Sequence, residues 1–279
     1  MTAATPMSLL EIRGLTVRFG GLVAINDLDL TIRMGQIFAL VGPNGAGKTT
    51  VLNCVSGFVR PEHGTIRLAG TDLLPLGRDM RARLGIGRTF QNVQLFSSMS
   101  VLDNLVTAQH SRLRAGMLSG MLPFGRGPAE DARARERARE MLALLDLEAY
   151  ADVIAGTLPL GARKLVGVAR ALVLKPRLVL LDEPAAGVPH AEVTALAEKL
   201  RSWRDTLGAT LLLIEHNMAL VQAVADSVCA LNYGSKLAEG NPREVLSHPS
   251  VLEAYLGREA GSEAGSETGS EVESRDAEG

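Results

Sequence analysis

Gly42-Pro-Asn-Gly-Ala-Gly-Lys48-Thr49 has the spacing G-x-x-x-x-G-K-[ST], and each residue type in it suits the holding of a nucleoside triphosphate. A triphosphate crowds several negative charges into a small volume. Its site must supply many short donors without bulky side chains. Gly42, Gly45 and Gly47 let the backbone fold around the phosphates and aim successive N–H groups inward. A helix starting near Gly47 adds the positive end of its dipole. Lys48 is placed for the β- and γ-phosphates and the Thr49 hydroxyl for Mg2+. Asn44, Ala46 and Thr50 complete the expected nucleotide contacts.

Two further runs end in residues able to act on such a ligand. Leu178-Val-Leu-Leu-Asp182-Glu183 is an apolar stretch ending in adjacent carboxylates. Side chains alternate along a strand, so the two should point different ways. Asp182 then suits Mg2+, and Glu183 suits the orientation or deprotonation of an attacking water. Residues 209–214 form a third apolar run, followed by Glu215 and His216. Ligands collect at the carboxyl ends of strands in such sheets, which favours His216 as a hydrogen-bond partner of the γ-phosphate.

These groups need a scaffold. Residues 36–41 read as a buried strand and residues 50–56 as a helix, giving the strand, loop and helix that the glycine motif requires. Residues 10–19 and 25–33 read as strands of a half-exposed antiparallel ribbon. From 102 to 147 the pattern turns helical, with residues 130–147 carrying a solvated face of alternating charge. Residues 93–158 read as a helical subdomain inserted into an α/β core. Residues 227–231 and 236–239 flank Asn232-Tyr-Gly-Ser235, a hairpin pattern, and a closing helix is expected over 242–256.

Bulk properties narrow the function. At 279 residues the chain can bury a sizeable core. It holds no run of about 18 apolar residues to span a bilayer, and its first residues lack the blocks of a signal peptide. Cys54 and Cys229 show no metal or redox spacing and read as reduced core thiols. Net charge is −2, but residues 258–279 hold seven acids and two bases, leaving 27 bases against 24 acids elsewhere. That balance is too weak for a nucleic-acid footprint. The tail repeats Gly-Ser-Glu from Gly261 and reads as a disordered acidic extension. His63, His110, His190 and His248 carry no assigned chemistry.

Taken in order, these motifs resemble the ATPase subunits of ABC transporters, over residues 8–257. Phe19, in Val17-Arg-Phe-Gly20, matches the adenine-stacking aromatic. Gln91, in Arg88-Thr-Phe-Gln91-Asn, matches the glutamine that touches Mg2+ and the attacking water. Leu158-Pro159-Leu160-Gly161-Ala162 stands where the family signature belongs. The segments 10–24 and 109–124, Asp182-Glu-Pro-Ala-Ala-Gly187 and Glu253-Ala-Tyr-Leu-Gly257 are similar to the subfamily that imports branched-chain amino acids, with urea and short-amide importers as relatives.

The resemblance implies an α/β P-loop NTPase (RecA-like) core with an N-terminal antiparallel β subdomain and an inserted α-helical subdomain. It implies ATP and Mg2+ as ligands, catalysis by Lys48, Gln91, Glu183 and His216, and Mg2+ contacts from Thr49, Gln91 and Asp182. The signature residues would act on the ATP of a second ATPase subunit, a different one or another copy, packed head to tail. Residues 93–99 would meet two membrane permeases at the cytoplasmic face of the membrane, with a solute-binding protein as indirect partner. Two positions depart from the family pattern: Ala162 replaces a glutamine, and Val188-Pro189 replaces a small polar residue. They suggest an asymmetric pair, in which the site completed by residues 158–162 turns over slowly. An exporter of lipid or polysaccharide shares every catalytic motif. A soluble ABC clamp protein normally carries long coiled coils or a second cassette, which this sequence lacks.

Overall fold

The computed structural model describes residues 7–89, 95–109 and 128–263. In chain order, β1 (Ser8–Phe19) and β2 (Leu22–Arg33) form a hairpin, and β3 (Ile37–Val41) leads through the glycine loop into α1 (Lys48–Ser56). There follow β4 (His63–Leu68), β5 (Thr71–Asp72), α2 (Arg78–Arg83) and β6 (Ile86–Arg88). The helical stretch holds α3 (Val101–Ala108), α4 (Pro128–Leu144) and α5 (Leu160–Leu172). The remainder is β7 (Leu178–Asp182), α6 (Val193–Leu207), β8 (Thr210–Ile214), α7 (Met218–Val224), β9 (Ser227–Asn232), β10 (Ser235–Gly240), α8 (Pro242–Leu246) and α9 (Pro249–Glu263).

The strands fall into two sheets. One is antiparallel, in the order β2-β1-β4-β5. The other runs β10-β9-β3-β8-β7-β6, parallel except for β10. Every residue of β3, β7 and β8 is buried, as expected of continuous apolar strands covered on both faces. Their alternation sorts the core. Phe38, Leu40, Leu178, Leu180, Leu212 and Ile214 pack against α1 and the antiparallel sheet. Val179, Leu181, Leu211 and Leu213 join the opposite cluster with α3 to α6. Each fully buried Leu or Ile contributes roughly 1.5–3 kcal/mol relative to exposure.

Leu102, Leu105, Met141, Leu142 and Leu145 from the helical stretch lie in one continuous cluster with Val166, Ala169 and Leu172 of α5. The helices therefore lean on the strand that ends in Asp182. The expected closing helix is two helices. Ser247 and His248 separate them, because Pro249 lacks the N–H and the φ range to continue α8. The second runs to Glu263, past the start expected for the acidic tail. Residues 264–279 lie outside the described residues, as do 110–127 and 90–94.

Candidate functional site

Three strand ends converge. β3, β8 and β7 are hydrogen-bonded neighbours in that order, all pointing the same way. Their carboxyl ends deliver Gly42, Glu215 with His216, and Asp182 with Glu183 to one edge of the sheet.

At the first end the loop 42–47 wraps back over β3. Gly42 has φ +145°, and a Cβ there would lie 2.1 Å from the Leu231 carbonyl oxygen. Gly47 has φ +101°, and a Cβ would lie 2.6 Å from both the Ala24 oxygen and Ile25 Cδ1. Only glycine fits at either position. The loop is tied by Ala46 N–H to Pro43 O (3.1 Å) and by Gly234 N–H to Ala46 O (3.1 Å). Lys48 is buried, its ammonium donating to the carbonyls of Gly42 (2.7 Å) and Pro43 (2.9 Å).

Gly47 caps α1 without a side-chain hydrogen bond, and the first turn contains no acid. By contrast, Ser100, Asn217 and Asn241 each cap their helices with a side-chain oxygen. The N–H groups at the start of α1 are thus left facing the mouth of the loop, an arrangement that receives anions. Thr49 lies exposed at this end and Thr50 is half-buried. Asn44 and Gly45 are exposed at the loop's crest, and Ala46 is buried beneath it.

At the second end Asp182 is buried and faces the α1 side, in step with Leu178 and Leu180. Arg88 Nη2 lies 3.6 Å from Asp182 Oδ2, while its Nη1 donates to Asn53 Oδ1 (2.8 Å) and Ser56 Oγ (2.6 Å) of α1. Burial is the largest influence on both partners. It raises the Asp182 carboxyl above its ordinary value, with Arg88 and Lys48 opposing and Glu183 reinforcing. It lowers the Arg88 guanidinium, with Asp182 opposing.

The expected divergence of the two carboxylates occurs, but not by strand alternation alone. Glu183 is the first residue off β7 and has φ +50°, a left-handed conformation that is uncommon for a side-chain-bearing residue. Its N–H donates to Ile214 O at 3.0 Å. This turn brings Glu183 Oε1 to 3.8 Å from His216 Nδ1. His216 itself is about half exposed, with a side-chain accessibility of 55%.

Other expected site residues sit farther out. Phe19 ends β1 and is half exposed at the rim of the antiparallel sheet. Leu158 is buried, Pro159 caps α5, and Leu160 is exposed. A Cβ on Gly161 would meet nothing within 4 Å. Like α1, α5 starts without a side-chain cap or an acid in its first turn. Gln91 lies outside the described residues. Of 93–99, Leu95 packs on the helical core, whereas Phe96 and Met99 are exposed.

Thr49 offers a hydroxyl at the start of α1, and Asp182 offers a carboxylate at the end of β7. Among the described residues no cluster of three or more His, Cys, Asp or Glu stands ready for a metal. Magnesium on a nucleotide takes one or two protein oxygens and completes its shell with phosphate and water, so this donor set fits it. Sequence reasoning gave no role to Arg88 or Glu215. Both were visible beside motif residues, but their partners are distant in sequence. Among the described residues no helix is long and apolar enough to cross a membrane.

Residues 25–186 match the family described as ABC transporter, and residues 235–261 match the family of branched-chain amino acid ATP-binding cassette transporters. The high-affinity branched-chain amino acid transport ATP-binding protein BraF of Pseudomonas aeruginosa is 41% identical over 249 residues, covering 89% of this chain and 98% of that protein. The lipopolysaccharide export system ATP-binding protein LptB of Acidithiobacillus ferridurans is 32% identical, over 89% and 97%. The crystal structure of the ADP conformation of MJ1267, an ATP-binding cassette of an ABC transporter, superposes with a TM-score of 0.78 at 29% identity, covering 90% of this chain and 99% of that one.

Proposed function

Since the chain belongs to the ABC transporter family of ATP-binding cassettes, we propose that it binds and hydrolyses ATP to power import of branched-chain amino acids. The observation that carries the import reading is the match of residues 235–261 to the branched-chain subfamily. Identity points the same way, being higher to the amino-acid ATPase than to the lipopolysaccharide one. The geometry supplies the chemistry.

Hydrolysis transfers the γ-phosphoryl group to water. A new P–O bond forms to the water oxygen, the bond to the β-phosphate oxygen breaks, and ADP departs. Most of the catalysis is positioning and neutralisation of charge. The glycine loop and the start of α1 hold the phosphates by backbone N–H groups, and Lys48 shifts from loop carbonyls to the β- and γ-oxygens. Glu183 accepts hydrogen bonds from the attacking water and receives its proton. His216, 3.8 Å away, holds the γ-phosphate from the other side of that water. Thr49 and Asp182, joined by Gln91, would hold magnesium, which supplies positive charge against the β- and γ-oxygens. Phe19 offers the adenine a half-exposed face.

The start of α5 completes a second subunit's site rather than its own. Its uncapped N–H groups and open Gly161 face outward, and the two subunits close head to tail on ATP. A different ATPase subunit as partner makes the Ala162 and Pro189 departures tolerable, since the partner's intact signature then covers Lys48 and Glu183. Exposed Phe96 and Met99 lie in the segment that would receive a cytoplasmic helix of a permease. On this reading the chain is a peripheral subunit at the cytoplasmic face of the membrane. The one-domain cassette over 8–257, with residues 93–158 as its inserted helical subdomain, belongs to the same reading.

The test is reconstitution with the permeases, the second ATPase and the solute-binding protein in liposomes. Leucine, isoleucine or valine should stimulate ATP turnover several-fold. Stimulation by urea or amides alone, or turnover that follows an exported lipid, would overturn the substrate assignment.

A further inference from the structure

A third carboxylate, next in sequence to His216, has no part in the steps above. Glu215 is fully buried. Its Oε1 accepts the Ala185 N–H at 2.7 Å, and its Oε2 accepts the N–H groups of His216 at 3.1 Å and Asn217 at 3.2 Å. A carboxylate withdrawn from water is costly unless its lone pairs are met. Its three donors among the described residues are all backbone N–H groups, and they belong to two different loops.

Ala185 lies two residues beyond Glu183, in the loop after β7. His216 and Asn217 lie in the loop after β8, where Asn217 Oδ1 goes on to cap α7 by accepting from Leu220 N–H at 3.1 Å. One side chain therefore fixes the height of one catalytic loop against the other. The loop after β7 is gripped from its far side as well, where Lys164 of α5 donates to the Ala186 carbonyl. The work needs two acceptor oxygens at the end of a long side chain. A shorter or single-oxygen residue cannot satisfy both loops at once.

We propose that Glu215 is a positioning residue for hydrolysis: it clamps the loops after β7 and β8 together so that Glu183 and His216 address the same γ-phosphate. The inference rests on the hydrolytic reading above.

Glu215→Gln preserves size but leaves one acceptor oxygen, so the amide group must oppose one of the two loops. In the full complex with partner subunits, fluorescent-ADP affinity should stay within about twofold of wild type, because the phosphate loop is untouched. The kcat should fall at least about tenfold. In a His216→Ala background the same change should add less than about twofold, since both substitutions act through one arrangement. Losses that multiply in the double variant, an unaltered kcat, or a fall in ADP affinity matching the fall in kcat would each overturn the clamp.

Amide hydrogen exchange at Ala185, His216 and Asn217 reads it without turnover. Faster exchange at all three in Glu215→Gln is expected, and unaltered exchange overturns the proposal. Wild-type complex that binds ADP but never hydrolyses ATP would instead sink the hydrolytic reading, and the exchange measurement would still decide the clamp.

Discussion

The chain has two helix starts prepared in the same way and finished differently. Both α1 and α5 begin without a side-chain cap and without an acid in the first turn. At α1 the preceding loop is wedged against Leu231, Ala24 and Ile25, and Lys48 is buried beneath it. At α5 Leu160 is exposed and Gly161 has open space around it. One start is a finished socket, built by the chain for its own ligand. The other is open, and on the proposed reading its donors meet a phosphate carried by a second subunit. Substitutions should therefore be felt differently at the two, and that contrast can be broken or sharpened.

The largest expected effect lies in the socket. Glu183→Gln should lower kcat by about 10²–10⁴ while ATP binding persists, measured by phosphate release alongside nucleotide titration. Next comes the pair Gly47→Ala and Gly161→Ala. The first must displace Ala24 or Ile25 at a strained φ, so a loss of about 1–3 kcal/mol in chemical denaturation is expected, with weakened ADP binding. The second should leave the isolated chain's stability and ADP affinity unchanged and lower hydrolysis only in the assembled complex. Equal effects in isolation would erase the distinction.

Ala162→Gln is the gain-side counterpart. Restoring a side-chain donor beside Gly161 should raise turnover several-fold at the partner's site, bounded by the roughly 2.7–4 kcal/mol that one transition-state donor is worth. Steady-state rates of complexes whose other site is silenced will show it.

The smallest effect is one of stability. Burial holds Asp182 above the ordinary carboxylate value, so the folded chain retains a proton at a pH where the unfolded chain has lost it. The group's contribution to folding is therefore fullest at low pH and declines as pH rises through that window. Asp182→Asn removes this titration. Its melting temperature should gain on wild type as pH rises above the ordinary aspartate value of about 4, in the absence of nucleotide. A variant that loses ground over that range would show Arg88 to be the stronger influence.

Legibility in the sequence followed the range of the interactions. The glycine loop, the end of β7 and His216 were readable because each is a local pattern at a strand end. The closing helix was drawn as one piece although Pro249, a helix-starting residue, stands in its middle. The left-handed turn at Glu183 could not be read, because nothing in Leu-Leu-Asp-Glu-Pro announces a positive φ. The Arg88–Asp182 and Glu215–Ala185 contacts escaped for another reason. Each joins segments that meet only after β6, β7 and β8 have aligned, and no spacing rule reaches that far. Phe19 is singled out by resemblance alone, and its exposure is visible only in the fold.

Gly234, in the turn between β9 and β10, receives no ligand yet takes part in building the socket. Its N–H donates to Ala46 O, its carbonyl accepts Asn26 N–H at 2.9 Å, and a Cβ on it would lie 2.7 Å from Ala24 O. β3 itself pairs only with β8 and β9, both late in the sequence. A nascent chain emerging from the ribosome thus displays its phosphate motif long before the turn that braces it has been synthesised. A product ending before Gly234 carries the fingerprint without the turn that braces its loop.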